Sequence, residues 1–169
     1  TLSGIPSIVY GLFGMLFFMT ALKLKLSLIS GALTLSIMVL PTILRTTEEA
    51  LLAVPESYRE GSFGLGAGRL RTVWKIVLPS ALPGIFAGVI LAMGRIVGES
   101  AALIYTAGTV AKVPDSLFSS TRTLAVHMYA LSSEGLYIDQ TYATAVVLLL
   151  IVVGINALSS RLAKSITKG

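Results

Sequence analysis

Arg59 to Pro79 reads REGSFGLGAGRLRTVWKIVLP. In a chain dominated by apolar residues, this stretch gathers charges, a cluster of glycines and the only tryptophan, Trp74. Glycines beside basic residues invite comparison with a phosphate-cradling loop. A dinucleotide fingerprint needs a third glycine three places after Gly66, where this chain has Arg69, and a Walker loop needs Gly-Lys-Ser/Thr where it has Gly66-Ala67-Gly68. Both nucleotide readings fail, so the glycines need another explanation.

Outside the stretch, composition narrows the class. Hydrophobic residues make up 54% of the 169 and charged residues 12%, and the mean hydropathy is +0.86, well above that of a soluble globular domain. The chain reads as a membrane protein. It has no cysteine, which excludes disulfides and thiolate metal sites, and a single histidine, His127, which excludes a histidine cluster. The opening TLSGIPS has no initiating Met, basic region or cleavage-site pattern, which suggests a piece of a longer chain without its N-terminal part.

A helix needs about 20 residues to cross roughly 30 Å of hydrocarbon. Four stretches qualify, at about 5–22, 26–44, 83–107 and 141–160. Only the third holds charges, Arg95 and Glu99. Basic residues orient the spans: Arg45, Arg59, Arg69, Arg71 and Lys75 precede the third, and Arg161, Lys164 and Lys168 follow the fourth. The positive-inside rule puts the segment at about 48–79 and the C-terminus in the cytoplasm, against the opposing pull of Lys23 and Lys25. The loop at about 108–140, with Lys112 and Arg122, is then external and part helical. Small residues spaced along the spans, Gly11 and Gly14, Gly84 and Gly88, Gly94 and Gly98, permit close backbone approach. This spacing predicts an all-α bundle, with no soluble domain left over.

A bland connector between spans needs few residues, yet more than thirty lie between the second and third, punctuated by Pro55, Pro79 and Pro83. One or two short helices off the membrane fit best; an amphipathic connector resting on lipid is the plain alternative. Glu60-Gly61-Ser62, then Gly66, Ile76 and Leu78-Pro79, follow the spacing of the "EAA" signature and resemble that of ABC importer permeases. Gly61 and Ser62 stand where that family usually has alanines. The resemblance implies a coupling helix that docks in a groove of a cytoplasmic ATPase. In physical terms, the small residues would let a partner approach, and Arg59, Glu60, Arg69 and Arg71 would supply charge at the rim. Trp74 would sit at headgroup level.

The likeness extends through SGIPSIVYGLFG at 3–14, ILRTTEEALLAVPESYREGS at 43–62, LPSALPGIFAGVILAMGRIVGESAALIYTAG at 78–108 and the loop SLFSSTRTLAVHMY. Over nearly its whole length the chain resembles the A-type permease subunits (PstA) of phosphate-specific ABC importers. That family has six spans, so this chain would carry the last four in a type I importer fold. The resemblance implies no catalytic site and no cofactor in this chain. ATP and Mg would be bound by a partner ATPase dimer, and a second permease subunit and an external phosphate-binding protein would complete a complex in a prokaryotic inner membrane. No nucleic acid is implied. Sulfate or molybdate is the alternative anion.

Charges at bilayer depth cost several kcal/mol (about 2.5–3.5) unless paired or watered, so Arg95 and Glu99 are candidate site residues. Four apart on one helix, they would share a face. A guanidinium suits phosphate because it stays charged and offers parallel donors to two oxygens. The resemblance assigns a substrate-pathway role to Arg95, Glu99 and Arg45. A structural salt bridge is the other reading of the pair, and a snorkelling anchor the other reading of Arg45. His127 reads as a surface or packing residue. Gly98-Glu99-Ser100-Ala101 lacks the glycine an intramembrane serine protease would need after its nucleophile, and the Met and aromatic residues read as packing or lipid-facing.

Overall fold

A computed structural model describes residues 4–135 and 137–167, with side chains as far as Arg161. Lys168 and the side chain of Lys164, both used to orient the tail, lie outside the described part. The elements run α1 Ser7–Gly14, a π-helical run Met15–Ala21, α2 Leu28–Leu52, α3 Glu56–Gly64, α4 Arg69–Thr72, a second π run Val73–Val77, α5 Leu78–Val97, α6 Ala101–Ile104, α7 Leu124–Glu134 and α8 Ile138–Thr167. No strand occurs among the described residues.

Among the described residues, three helices are long and apolar enough to cross a membrane: Leu28–Leu52, Arg69–Val97 and Ile138–Arg161. The first expected span, 5–22, is shorter than its apolar run. Pro6 precedes the helix, which spans Ser7–Ala21, and the chain then turns through Lys23 and Lys25 at φ of 56° and 59°. At the tail, α8 meets the 141–160 expectation, and its spanning window buries nothing inside this chain.

The other two boundaries differ from the sequence expectation for identifiable reasons. The second span was expected to end near residue 44, but α2 continues to Leu52 because Glu48-Glu49-Ala50-Leu51-Leu52 are good helix formers that hydropathy does not count. Hydropathy puts the third at 83–107, but the helix runs from Arg69 to Val97, about 43 Å and longer than the hydrocarbon. Pro79 does not break it, because the π run before it has already widened the turn: the Leu78 N–H donates to Val73 O. Chain 98–100 then interrupts, and α6 begins afresh at Ala101.

The chain divides into two compact units, Thr1–Pro41 with Gly94–Ile155, and Thr42–Met93 with Asn156–Gly169. The core of the first is built on close backbone approach. A Cβ on Gly11 would meet Ala102 Cα at 2.9 Å, and one on Gly31 would meet Ala107 Cβ at 2.8 Å. Leu103, Ala107 and Val126 are buried together there. The expected external loop closes this unit. Leu28 and Ile29, at the start of α2, donate N–H bonds of 3.1 and 3.0 Å to Ser119 O and Leu117 O, so the loop backbone satisfies orphan donors of the helix. Thr123 caps α7 by accepting from the Val126 N–H. His127 is half-buried in α7, its Nδ1 buried without a hydrogen-bond partner.

In the second unit Val54, Val77 and Ala81 form a small apolar core with Ala50, Leu51 and Ile85. Gly84 abuts Ala50, and Gly88 abuts Thr46, as the small-residue spacing predicts. Gly98 of the first unit does not follow suit: the nearest atom to a Cβ there is the Gly94 carbonyl oxygen at 3.9 Å.

Candidate coupling segment and pathway charges

In the second unit, α3 starts after Pro55, whose φ of −55° suits the approach to a helix. It ends in a left-handed turn. Gly66 has φ +81°, its N–H donates to Phe63 O at 2.9 Å, and the Ala67 N–H donates to Ser62 O at 3.1 Å. This is the helix termination that favours glycine. A Cβ at Gly66 would meet nothing within 4 Å. The glycine is therefore required by backbone conformation within this chain, a reason that spacing alone did not expose.

Two sequence assignments in the segment change. Ser62, expected as a small residue facing a partner, is 5% exposed, and its Oγ lies 2.8 Å from Thr72 Oγ1. Thr72 is 1% exposed and also donates to Gly68 O at 3.2 Å. Arg59, expected at the rim, turns inward: Nη2 donates to Leu51 O at 3.0 Å, and Nη1 donates to Glu56 Oε2 at 2.9 Å. A guanidinium there satisfies an orphan carbonyl at the end of α2 and complements its negative pole.

Glu60, Gly61, Phe63 and Gly64 in the later part of α3 are exposed, as are Glu56, Ser57 and Tyr58 at its start. Neither Gly61 nor Gly64 has a neighbour within 4 Å of a Cβ position, so this face is open to close approach. Leu65, Leu70 and Trp74 project outward as well. Ile76 and Leu78 are half-buried and Pro79 is exposed. A cleft of about 670 Å³ is lined by residues including Ala50, Val54, Tyr58, Pro79 and Pro83.

The candidate pathway charges divide between the units. In the second, Arg45 Nε donates to Glu49 Oε1 at 2.9 Å one turn along α2, with the two side chains 63% and 62% exposed. In the first, Arg95 lies in the last turn of α5, where a cation complements the helix C-terminus. Its side chain is exposed, and no salt bridge joins it to Glu99 among the described residues. The expectation that Arg95 and Glu99 share a helical face fails because α5 stops at Val97. Glu99 Oε1 instead accepts the Ala102 N–H at 3.2 Å, anchoring the start of α6. The geometry therefore gives a free guanidinium and a fixed carboxylate. No cluster of three or more metal-ligating side chains occurs among the described residues.

Thr72 and the Leu51 carbonyl are the partners that sequence reading missed. Ser62 and Thr72 stand ten residues apart, a separation with no helical or strand periodicity to reveal it.

The family model for the binding-protein-dependent transport system inner membrane component matches residues 1–169. The chain is similar to the probable ABC transporter permease protein YqgI of Bacillus subtilis, 40% identical over 151 residues, 82% of this chain and 51% of that one. It is 37% identical over 170 residues to the phosphate transport system permease protein PstA homolog of Mycoplasma pneumoniae, 96% of this chain and 26% of that one. It is 32% identical over 158 residues to the phosphate transport system permease protein PstA of Mycobacterium leprae, 92% of this chain and 52% of that one. The chain thus spans about half or less of the length of these relatives. Among solved structures, an inward-facing form of the MetNI methionine ABC transporter superposes with a TM-score of 0.78 at 24% identity, over 98% of this chain and 70% of that one. That likeness speaks to fold alone. The matched family comprises transport components and not enzymes, and its description together with three spanning-length helices makes this a multi-pass inner membrane protein. The chain belongs to the binding-protein-dependent transport system inner membrane component family and has the all-α fold of a type I ABC importer permease.

Proposed function

We propose that this chain forms half of the membrane pathway of an ATP-driven importer of inorganic phosphate. The observation that carries the coupling role is the open outer face of α3, with Glu60, Gly61 and Gly64 exposed and bare beside the tight turn at Gly66. Such a face suits insertion into a groove of a cytoplasmic ATPase dimer, which would bind ATP and Mg and hydrolyse the nucleotide. A second permease subunit would face this one, since alternating access needs two halves, and an external binding protein would deliver the anion. The coupling segment and the C-terminus are then cytoplasmic.

Phosphate is favoured by the relatives named for phosphate transport and by the chemistry of Arg95. A guanidinium without a carboxylate partner offers parallel donors to two phosphate oxygens and remains charged. Glu99, held at the head of α6, adds a fixed negative charge nearby in sequence. It keeps anion binding weak enough for release, as a pathway requires. Arg45, loosely tethered to Glu49 on an exposed face, is a third pathway residue.

Uptake of labelled phosphate, sulfate and molybdate in a strain lacking the intact gene and in the same strain with it restored tests the reading. Restoration of phosphate uptake alone supports it. Restoration of sulfate or molybdate uptake in its place transfers the same scheme to another oxyanion.

A further inference from the structure

A docking helix transmits force only if it is fixed to the helices it must move. Within the second unit α3 is tied at both ends. Arg59 binds its first turns to the end of α2 through Leu51 O at 3.0 Å. Ser62 binds its last turns to the start of the next membrane helix through Thr72 Oγ1 at 2.8 Å. Ser62 and Thr72 are buried, and they are the buried polar side chains of this unit among the described residues. The opposite face of α3 is bare. An alanine and a valine would fill the same volume, but methyl packing tolerates rotation and sliding, whereas a hydroxyl pair in a dry setting holds one geometry.

We propose that Ser62 and Thr72 are positioning residues, a latch that fixes the angle of α3 on the Arg69–Val97 helix and so sets how much of the ATPase movement reaches the membrane. The inference rests on the coupling role proposed above and deepens it. Neither residue need touch the ATPase: Glu60 and Gly61 meet the partner, while Ser62 and Thr72 transmit the movement.

The test uses the complete complex in proteoliposomes, measuring ATP hydrolysed per inorganic phosphate imported, together with ATPase recovery on purification and thermal stability. Removing both hydroxyls with shape kept is close to neutral for stability, so the Ser62→Ala/Thr72→Val double variant separates latch from scaffold. It is expected to assemble with its ATPase and melt near the unmodified complex, yet hydrolyse severalfold more ATP per phosphate imported. Thr72→Ser, which keeps the hydroxyl, is expected to retain coupling. An unchanged ratio in the double variant overturns the latch and leaves the docking reading standing. Failure of the unmodified complex to retain an ATPase overturns the docking reading, and the latch with it.

Discussion

Gly88 and Thr46 touch so closely that a Cβ on Gly88 would lie 2.7 Å from Thr46 Cβ and fall on its hydroxyl. That hydroxyl is occupied, donating to Thr42 O at 3.0 Å. Gly88→Ala therefore forces α2 and α5 apart within this unit, at a cost of about 1–3 kcal/mol typical of overpacking. Melting of the purified complex should fall accordingly, and Thr46→Ala in the same chain should recover only part of the loss, because its Cβ stays 2.7 Å from the added methyl. Equal melting of Gly88→Ala and the unmodified protein would contradict the contact.

Gly66 is a different case, because space around it is free and only its backbone is special. A β-carbon in the left-handed region costs about 1–2 kcal/mol, less for asparagine. Gly66→Asn should therefore be milder than Gly66→Ala in ATPase recovery and in protease resistance of the 56–72 region. The opposite ranking would show that bulk at the interface, and not backbone conformation, governs the position.

Exposed ion pairs such as Arg45 with Glu49 contribute about 0.5 kcal/mol or less. Glu49→Gln should leave melting nearly unchanged. Arg45→Gln should do the same yet lower phosphate uptake if Arg45 serves the pathway. Normal uptake by Arg45→Gln identifies it as an anchor.

Arg95→Gln should reduce phosphate uptake by about tenfold or more, equivalent to ~1.4 kcal/mol, while the complex is recovered intact. Arg95→Lys should fall between, since an ammonium keeps the charge but loses the planar fork. Full uptake by Arg95→Gln removes the guanidinium from the pathway.

The apolar runs made the membrane class and three spanning helices legible, and the Glu60 to Pro79 spacing made the family legible. Boundaries were harder for physical reasons. Hydropathy marks what crosses a bilayer, but α2 continues through Glu48 and Glu49 because those residues favour helix regardless of polarity. Pro79 reads as a stop until the π run before it is seen. Glu99 stands four after Arg95 and reads as sharing its face, but α5 ends between them and the carboxylate serves α6. Ser62 reads as a substitute alanine; its hydroxyl finds Thr72 only after the chain has turned at Gly66.

The central claim is that the outer face of α3 meets an ATPase. These 169 residues contain no cysteine, so a single thiol introduced here has no other within them to compete with it. Gly61→Cys, on the bare face, should form a disulfide or short bifunctional cross-link to a cysteine placed in the ATPase groove of the assembled complex, with a yield that changes when ATP binds. Ser62→Cys, one position on and buried, should not. Cross-linking from Gly61→Cys supports the account; its absence from an assembled, transport-active complex, or equal labelling from both positions, would contradict it.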